Sequence, residues 1–347
     1  MSKQQPAGSG QPSRKRWRGD TWPALGEGGQ AGERPLSCAG HRIMPDQALD
    51  GIINLNKPVG MTSHDVVARA RRISGQKKVG HAGTLDPMAT GVLLLCLGQA
   101  TRVAEYLMAG DKVYSARIRL GVSTDTYDAE GQVSAEAEVT ATRSQVEQEL
   151  STFVGRLTQT PPMYSALKHE GTALYRLARQ GQTVARTPRQ VQIYSLELLE
   201  WAPPDLQVKV HCSKGTYIRS LAHDLGQRLR CGAHLAGLVR LACGSFGIEQ
   251  AITVTEMERA FATGGGARLL QPLDAALQAF PAVNVDPVKA AAIAHGQRVD
   301  LPVDPTARLA RAYSADGHLL ALLRHDKLRL WQPHKVFVRW GQDESNP

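Results

Sequence analysis

Residues 92–97 (Val-Leu-Leu-Leu-Cys-Leu) form an unbroken apolar run directly behind a loop, 80–91, that holds three glycines, one proline and one acid. No other feature limits the fold as much. An apolar stretch of strand length without alternation is buried on both faces, which puts it inside a sheet covered on either side. It is the longest apolar run in the chain, and it falls far short of the ~20 residues that a membrane-spanning helix needs.

Neighbouring segments supply the rest of an α+β body. Residues 51–56 read as a short strand closed by Lys57-Pro58-Val59-Gly60. Thr62 precedes Asp65 by three positions, as in a capping box that starts a helix. Val66, Val67, Ala70 and Ile73 then share one face, and Gly75 is placed to end the helix. Residues 113–120 alternate like a half-exposed strand and turn through a Gly- and Asp-rich loop, 121–131. A helix is expected over 144–153, with Val146, Leu150 and Phe153 on one side. The clean alternation of 206–212 gives another strand. It leads through Gly215 into a helix with Ile218, Leu221, Ala222, Leu225 and Leu229 on one face. Strands with intervening helices and hairpin-like pairs indicate a mixed, mainly antiparallel sheet. The texture changes at about residue 280, and short alternating strands over 307–338 indicate a small β-rich C-terminal module. The expected organisation is an extension (1–46), a catalytic body (47–279), the C-terminal module (280–341) and a frayed tail (342–347).

The first 46 residues are rich in Gly, Pro, Gln and Ser and carry the basic cluster Arg14-Lys15-Arg16-Trp17-Arg18. Such a segment cannot bury enough apolar surface to offset the entropy of ordering. It lacks the apolar region of a secretory signal, and its Gly and Pro content disfavours a transit-peptide helix. The expectation is a disordered tail, or translation that starts at Met44. The net charge of +9 (41 Lys and Arg against 32 Asp and Glu) favours a polyanionic partner, because each neutralised phosphate releases condensed counterions. Charge alone fits an ordinary basic surface equally well. Cys38, Cys96, Cys212, Cys231 and Cys243 lie far apart with no Cys-x-x-Cys pair, which argues against a disulfide framework or a zinc site and suits a reducing, cytoplasmic setting. The histidines show no metal-ligand spacing. Residues 125–131 (Asp-Thr-Tyr-Asp-Ala-Glu-Gly) have the look of a calcium loop but lack its alternate-position oxygens and terminal Glu. No metal or cofactor is expected.

Asp86 in the 80–91 loop is the candidate for chemistry. An Asp-Pro pair by itself is usually a turn. Here Pro87 restricts Asp86 to extended backbone, and Gly80 and Gly83 let another backbone or a substrate come close. A carboxylate on a rigid loop beside a buried strand suits a nucleophile or base.

The string Lys57-Pro58-x-Gly60-x-Thr62-Ser63, followed by Gly80-His81-x-Gly83-Thr84-Leu85-Asp86-Pro87-x-Ala89-Thr90-Gly91, closely resembles the TruB family of tRNA pseudouridine synthases. Asp111-Lys112-x-Tyr114, Tyr164-Ser165-Ala166-Leu167-Lys168 and Ser213-Lys214-Gly215-Thr216-Tyr217-Ile218-Arg219 match in the same order. Cys231-Gly232-Ala233-His234 and Arg240-Leu241 complete the set. The resemblance implies an isomerase that needs neither cofactor nor metal. It detaches the uracil of uridine 55 in the T loop of tRNA from C1′, turns it and rejoins it through C5. It implies Asp86 as catalytic carboxylate and Arg219 as its partner, which would orient Asp86 and hold its pKa down. Tyr114 would stack on the target base. Tyr217, Leu241, Lys57 and Lys168 would contribute substrate contacts, and His81 would fill the space left by a flipped nucleotide. A PUA-like C-terminal module would grip RNA outside the active site.

Residues 159–189 carry Lys168, His169, Tyr175, Arg176, Arg179, Arg186 and Arg189, and fit an RNA-gripping insert that orders on binding. A solvated charged face is the plainer reading. In the resemblance, a long insert here marks the stand-alone tRNA enzymes. The expected partner is therefore the T arm of tRNA, with no membrane and no obligatory protein partner, and the enzyme is expected to act as a monomer. Two alternatives stay open: a non-catalytic RNA-binding or RNA-folding protein on the same scaffold, and a guide-RNA-dependent synthase.

Overall fold

A computed structural model describes residues 49–338 apart from 166, 305 and 327–329; the expected extension and frayed tail lie outside the described residues. The core is a ten-stranded sheet in the order Ile252–Thr253 (β14), Gly51–Lys57 (β1), Thr90–Leu97 (β3), Ala233–Cys243 (β12), Lys112–Leu120 (β4), Asp205–Cys212 (β11), Arg189–Ala202 (β10) and Gly155–Gln159 (β7), to which Val79–Ala82 (β2) and Phe246–Gly247 (β13) attach as side pairs. The first three strands are β1 (Gly51–Lys57), β2 (Val79–Ala82) and β3 (Thr90–Leu97). β3 is the apolar run, and it is buried on both faces as expected. Leu93, Leu95 and Leu97 enter one hydrophobic core, while Val92, Leu94 and Cys96 enter a second on the opposite side.

Helix α1 (Ser63–Ser74) starts with the anticipated capping box of Thr62 and Asp65 and ends at Gly75, whose φ of 68° is left-handed. It buries Val66, Val67 and Ala70 in the first core. Helix α2 (Ala104–Ala109) leads into β4 (Lys112–Leu120), and a hairpin of β5 (Val122–Thr124) and β6 (Val133–Glu136) follows. Helix α3 (Arg143–Ser151) has its own capping box, Thr142 with Gln145, and brings Val146 and Leu150 to the first core. β7 (Gly155–Gln159) opens the insert, which contains the short pair β8 (Lys168–His169) and β9 (Thr172–Ala173) and the helix α4 (Leu174–Arg179). β10 (Arg189–Ala202) and β11 (Asp205–Cys212) return to the sheet as an antiparallel pair.

Helix α5 (Ile218–Arg228) buries Ile218, Leu221, Ala222 and Leu225, the face read from the sequence. β12 (Ala233–Cys243) then inserts between β3 and β4. β13 (Phe246–Gly247), β14 (Ile252–Thr253) and helix α6 (Val254–Ala262) complete the body. A separate four-stranded sheet contains β15 (Ala282–Asn284), β16 (Leu309–Tyr313), β17 (Leu319–His325) and β18 (Trp331–Val336), with helix α7 (Pro287–Ala294) against it. The architecture is thus α+β with a mainly antiparallel main sheet; β1–β14 and β3–β12 are its parallel pairs. Among the described residues no helix is long and apolar enough to cross a membrane.

Candidate active site

The loop between β2 and β3 is fixed from below by β12. β3 meets β12 in parallel only at its start, where Thr90 faces Val239 and Gly91 faces Arg240. The approach is so close that a Cβ on Gly91, whose φ is +98°, would lie 2.3 Å from the Arg240 carbonyl oxygen, so this position requires glycine. The Arg240 side chain then turns under the loop. Its Nε donates to the Val92 carbonyl (2.6 Å), and its Nη2 donates to the Gly83 carbonyl (3.1 Å). From above, Ser63 on α1 accepts from the Leu85 N–H (2.9 Å) and donates to the Leu85 carbonyl (3.1 Å). Asp86 therefore sits between two anchored flanks.

Asp86 Oδ2 is 3.0 Å from Arg219 Nε, and its side chain keeps 36% of its surface exposed, so a ligand can reach it. Arg219, in the first turn of α5, is itself buried. Its Nη1 pairs with Asp128 Oδ2 at 3.2 Å, and its Nη2 donates to the Tyr164 carbonyl at 2.7 Å. One guanidinium thus bridges two carboxylates. Asp128 comes from the loop that resembled a calcium site, and it is held by the Thr126 hydroxyl (2.6 Å) and the Glu130 N–H (3.1 Å). Tyr127, at a φ of 64°, stacks on His223 of α5 with centroids 3.9 Å apart, which pins this loop to the helix carrying Arg219.

Burial pushes the Asp86 carboxyl above the usual carboxylate range; Arg219 opposes this and Asp128 adds to it. Arg219 thus pulls this pKa down, as expected, but the net shift is upward, so the expectation of a pKa below the usual range is corrected. The guanidinium is shared with a second acid, and desolvation outweighs it.

Asp86 and Arg219 line a cavity of about 300 Å³ together with Tyr114, Tyr217, Lys112, Leu238 and Arg240. Its size suits one nucleotide, not a duplex. Tyr114 on β4 lies opposite Arg240 in the strand register, and burial pushes its phenol up to about 12, so the ring stays neutral. Tyr217 occupies the N-cap of α5, where Gln159 clamps its backbone through hydrogen bonds of 2.7 and 3.0 Å. Burial also raises the Tyr217 phenol.

Other expected residues lie elsewhere. Lys57 is fully buried, and its ammonium donates to the carbonyls of Pro58 (2.9 Å), Met61 (2.7 Å) and Pro87 (3.3 Å). All three ammonium donors are taken, so Lys57 holds the Asp86–Pro87 loop and does not face the cavity as a substrate contact. Burial lowers its pKa to about 8. Leu241 is the extra residue of a β-bulge in β12 and is not a cavity wall; Leu238, three residues earlier, lines the cavity instead. His81 lies on β2 outside the cavity wall, edge-on to His64 at 5.4 Å, and burial lowers its pKa. The side chains of Lys168, Tyr175 and Arg179 lie outside what is described. The residues not anticipated are Asp128, Arg240, Leu238 and Lys112. Asp128 lay in a stretch weighed only as a metal loop, and Arg240 and Lys112 stood inside quoted motifs without an assigned role.

Three family models cover most of this region. TruB family pseudouridylate synthase (N terminal domain) matches residues 71–218, and the tRNA pseudouridylate synthase B C-terminal domain matches 219–278. The tRNA pseudouridine synthase II C-terminal model matches 280–338. The chain is 44% identical to tRNA pseudouridine synthase B of Dehalococcoides mccartyi strain CBDB1 over 292 residues, covering 84% of this chain and 97% of that one. Identity to the protein of the same name from Burkholderia mallei NCTC 10247 is 46% over 287 residues, covering 81% and 95%. Among solved structures, a chain of the archaeal box H/ACA sRNP Nop10–Cbf5 complex superposes with a TM-score of 0.63 at 26% identity, covering 84% of this chain and 87% of its own. A chain of a Cbf5–Nop10–Gar1 complex gives 0.65 at 28% identity, covering 86% and 92%.

Proposed function

The chain belongs to the TruB family of tRNA pseudouridine synthases, and from that premise we propose that it converts uridine 55 in the T loop of tRNA to pseudouridine, with Asp86 as catalytic carboxylate. The observation that carries this reading is the ion pair of reachable Asp86 with buried Arg219 in a cavity walled by two tyrosines. A glycosidic bond inside a folded loop is out of reach until the nucleotide leaves the stack, so the uridine flips into the cavity. Tyr114 offers a neutral ring for stacking, and Tyr217 bounds the other side. Asp86 acts on the sugar, by attack at C1′ or by removal of the C2′ proton, and either step needs its anion. His81 and the basic insert serve the RNA around the flipped nucleotide, and the C-terminal module grips it further out. The chemistry calls for no metal or cofactor.

The enzyme works alone on tRNA, as a monomer. Support comes from identities of 44–46% to tRNA pseudouridine synthase B proteins matched along 95–97% of their length, against 26–28% to chains of H/ACA complexes. The deciding measurement incubates T-arm RNA with the wild type and with Asp86→Asn, then maps pseudouridine chemically. The wild type should modify one uridine without any accessory protein, and Asp86→Asn should modify none while binding RNA within about threefold of wild type. Equal product from both would remove Asp86 from the reaction. RNA binding with no product from the wild type would favour a purely binding scaffold.

A further inference from the structure

The charges around the cavity fall into two groups. Near Asp86 stand Arg219 and two further carboxylates, Asp128 and Glu130, whose fields act on one another. The other group is Arg240 and Lys112, both buried and both in the cavity wall, flanking Tyr114. Among the described residues neither has an ion-pair partner. Lys112 Nζ donates to the carbonyls of Met108 (2.6 Å) and Gly110, and Arg240 donates to the carbonyls of Val92, Gly83 and Thr84. Two buried cations met only by neutral groups, the backbone carbonyls and for Arg240 also the Tyr114 hydroxyl, are costly to keep, and uncompensated charge of this kind concentrates where charge develops during a reaction.

Resting on the isomerase reading above, the chemistry supplies that charge. When C1′–N1 breaks, the bonding electron pair leaves on the uracil and spreads over N1, O2 and O4. After the ring turns, C5 bonds to C1′, the C5 proton is lost and N1 takes one up, so atoms and charge balance without another reactant. We propose that Arg240 and Lys112 stabilise the detached uracil anion, making the base end of the cavity positive while the sugar end around Asp86 is negative. Preorganised cations of this kind act on the transition state without reorganising during the reaction.

Single-turnover conversion of T-arm RNA and RNA affinity are measured for wild type, Lys112→Met, Arg240→Met and Arg240→Lys, with thermal melting to show folding. The neutral variants should lose about 100-fold or more in rate while affinity changes by less than about threefold. Arg240→Lys, which keeps the charge but cannot reach all three carbonyls, should recover at least about tenfold over Arg240→Met. If Arg240→Met fails to fold, Lys112→Met decides. A neutral variant at the wild-type rate overturns the inference, as does an Arg240→Lys no faster than Arg240→Met, the result that anchoring alone gives. Wild-type protein that forms no pseudouridine would bring down the functional reading itself; an active wild type with unimpaired variants brings down only this inference.

Discussion

At Arg219 one guanidinium serves two acids, and the second one sets the first. Asp128 is a like charge that helps push Asp86 above the usual carboxylate range. On the proposed role of Asp86 as an anion, the rate should rise with pH through that raised value and level off above it. Asp128→Asn removes the like charge, so the acid limb of the single-turnover pH profile should move to lower pH. The plateau should fall roughly 10-fold or more, because Arg219 loses one of its two anchors. An unmoved acid limb would separate Asp128 from Asp86. Lys57 gives a matching test of stability. Burial holds its folded pKa at about 8, below the ordinary 10.5 of a lysine, so between these pH values the unfolded chain holds more protons and stability rises with pH. The melting temperature of wild type relative to Lys57→Met should therefore grow between pH 8 and 10.5. Asp86, Arg219 and Tyr114 were legible in the motifs. The burial that reverses the pKa of Asp86 and keeps Lys57 from facing the cavity was not, because a sequence gives residue types and not what closes over them.

Among the elements, the best-read were those whose period was undisturbed. β3 has no alternation at all, and α1, α3 and α5 repeat at helical spacing with clear caps or a clear apolar face. The long strands without a sequence signature are β10 and β12. β10 carries two bulges, at Tyr194 and Leu199, and each shifts the two-residue alternation by one; both extra residues are exposed. β12 is interrupted by His234, Gly237 and Arg240 and carries a bulge at Leu241. Yet β12 supports the active loop, and its weak point is the contact with Gly91. Gly91→Ala combines a left-handed φ with a clash against backbone, and should cost on the order of 3 kcal/mol in chemical denaturation. Gly83→Ala, at a φ of +93° but with its nearest neighbour 3.6 Å away, should cost clearly less. Equal losses would mean that strain in φ, and not the β3–β12 approach, is what glycine relieves.

For the whole molecule, the C-terminal module is part of the core and not an appendage. Leu322 and Phe337 complete the second core, against Val92, Leu94 and Cys96 of β3. Arg102 donates to the Val336 carbonyl and Lys335 pairs with Glu105 (2.7 Å) across the same junction. A chain cut after residue 279 should therefore lose thermal stability and T-arm conversion together, and the intact protein should unfold in one calorimetric transition. A truncated chain that melts like the full one would show the module to be independent. The sequence marked this module by a change of texture near residue 280; that it forms the far wall of β3 was hidden, because nothing local to either segment records what the other buries.

The parallel contact of Gly91 with Arg240 joins positions separated by most of the catalytic body. The loop holding Asp86 is made early in synthesis, but its floor arrives only with β12, and Arg219 shortly before. A ribosome-bound chain short of that strand carries the motif without a working centre. Such high contact order predicts slow closure of the site in refolding, with activity returning after secondary structure. Turnover is thus a late and strict reporter that the chain has finished folding.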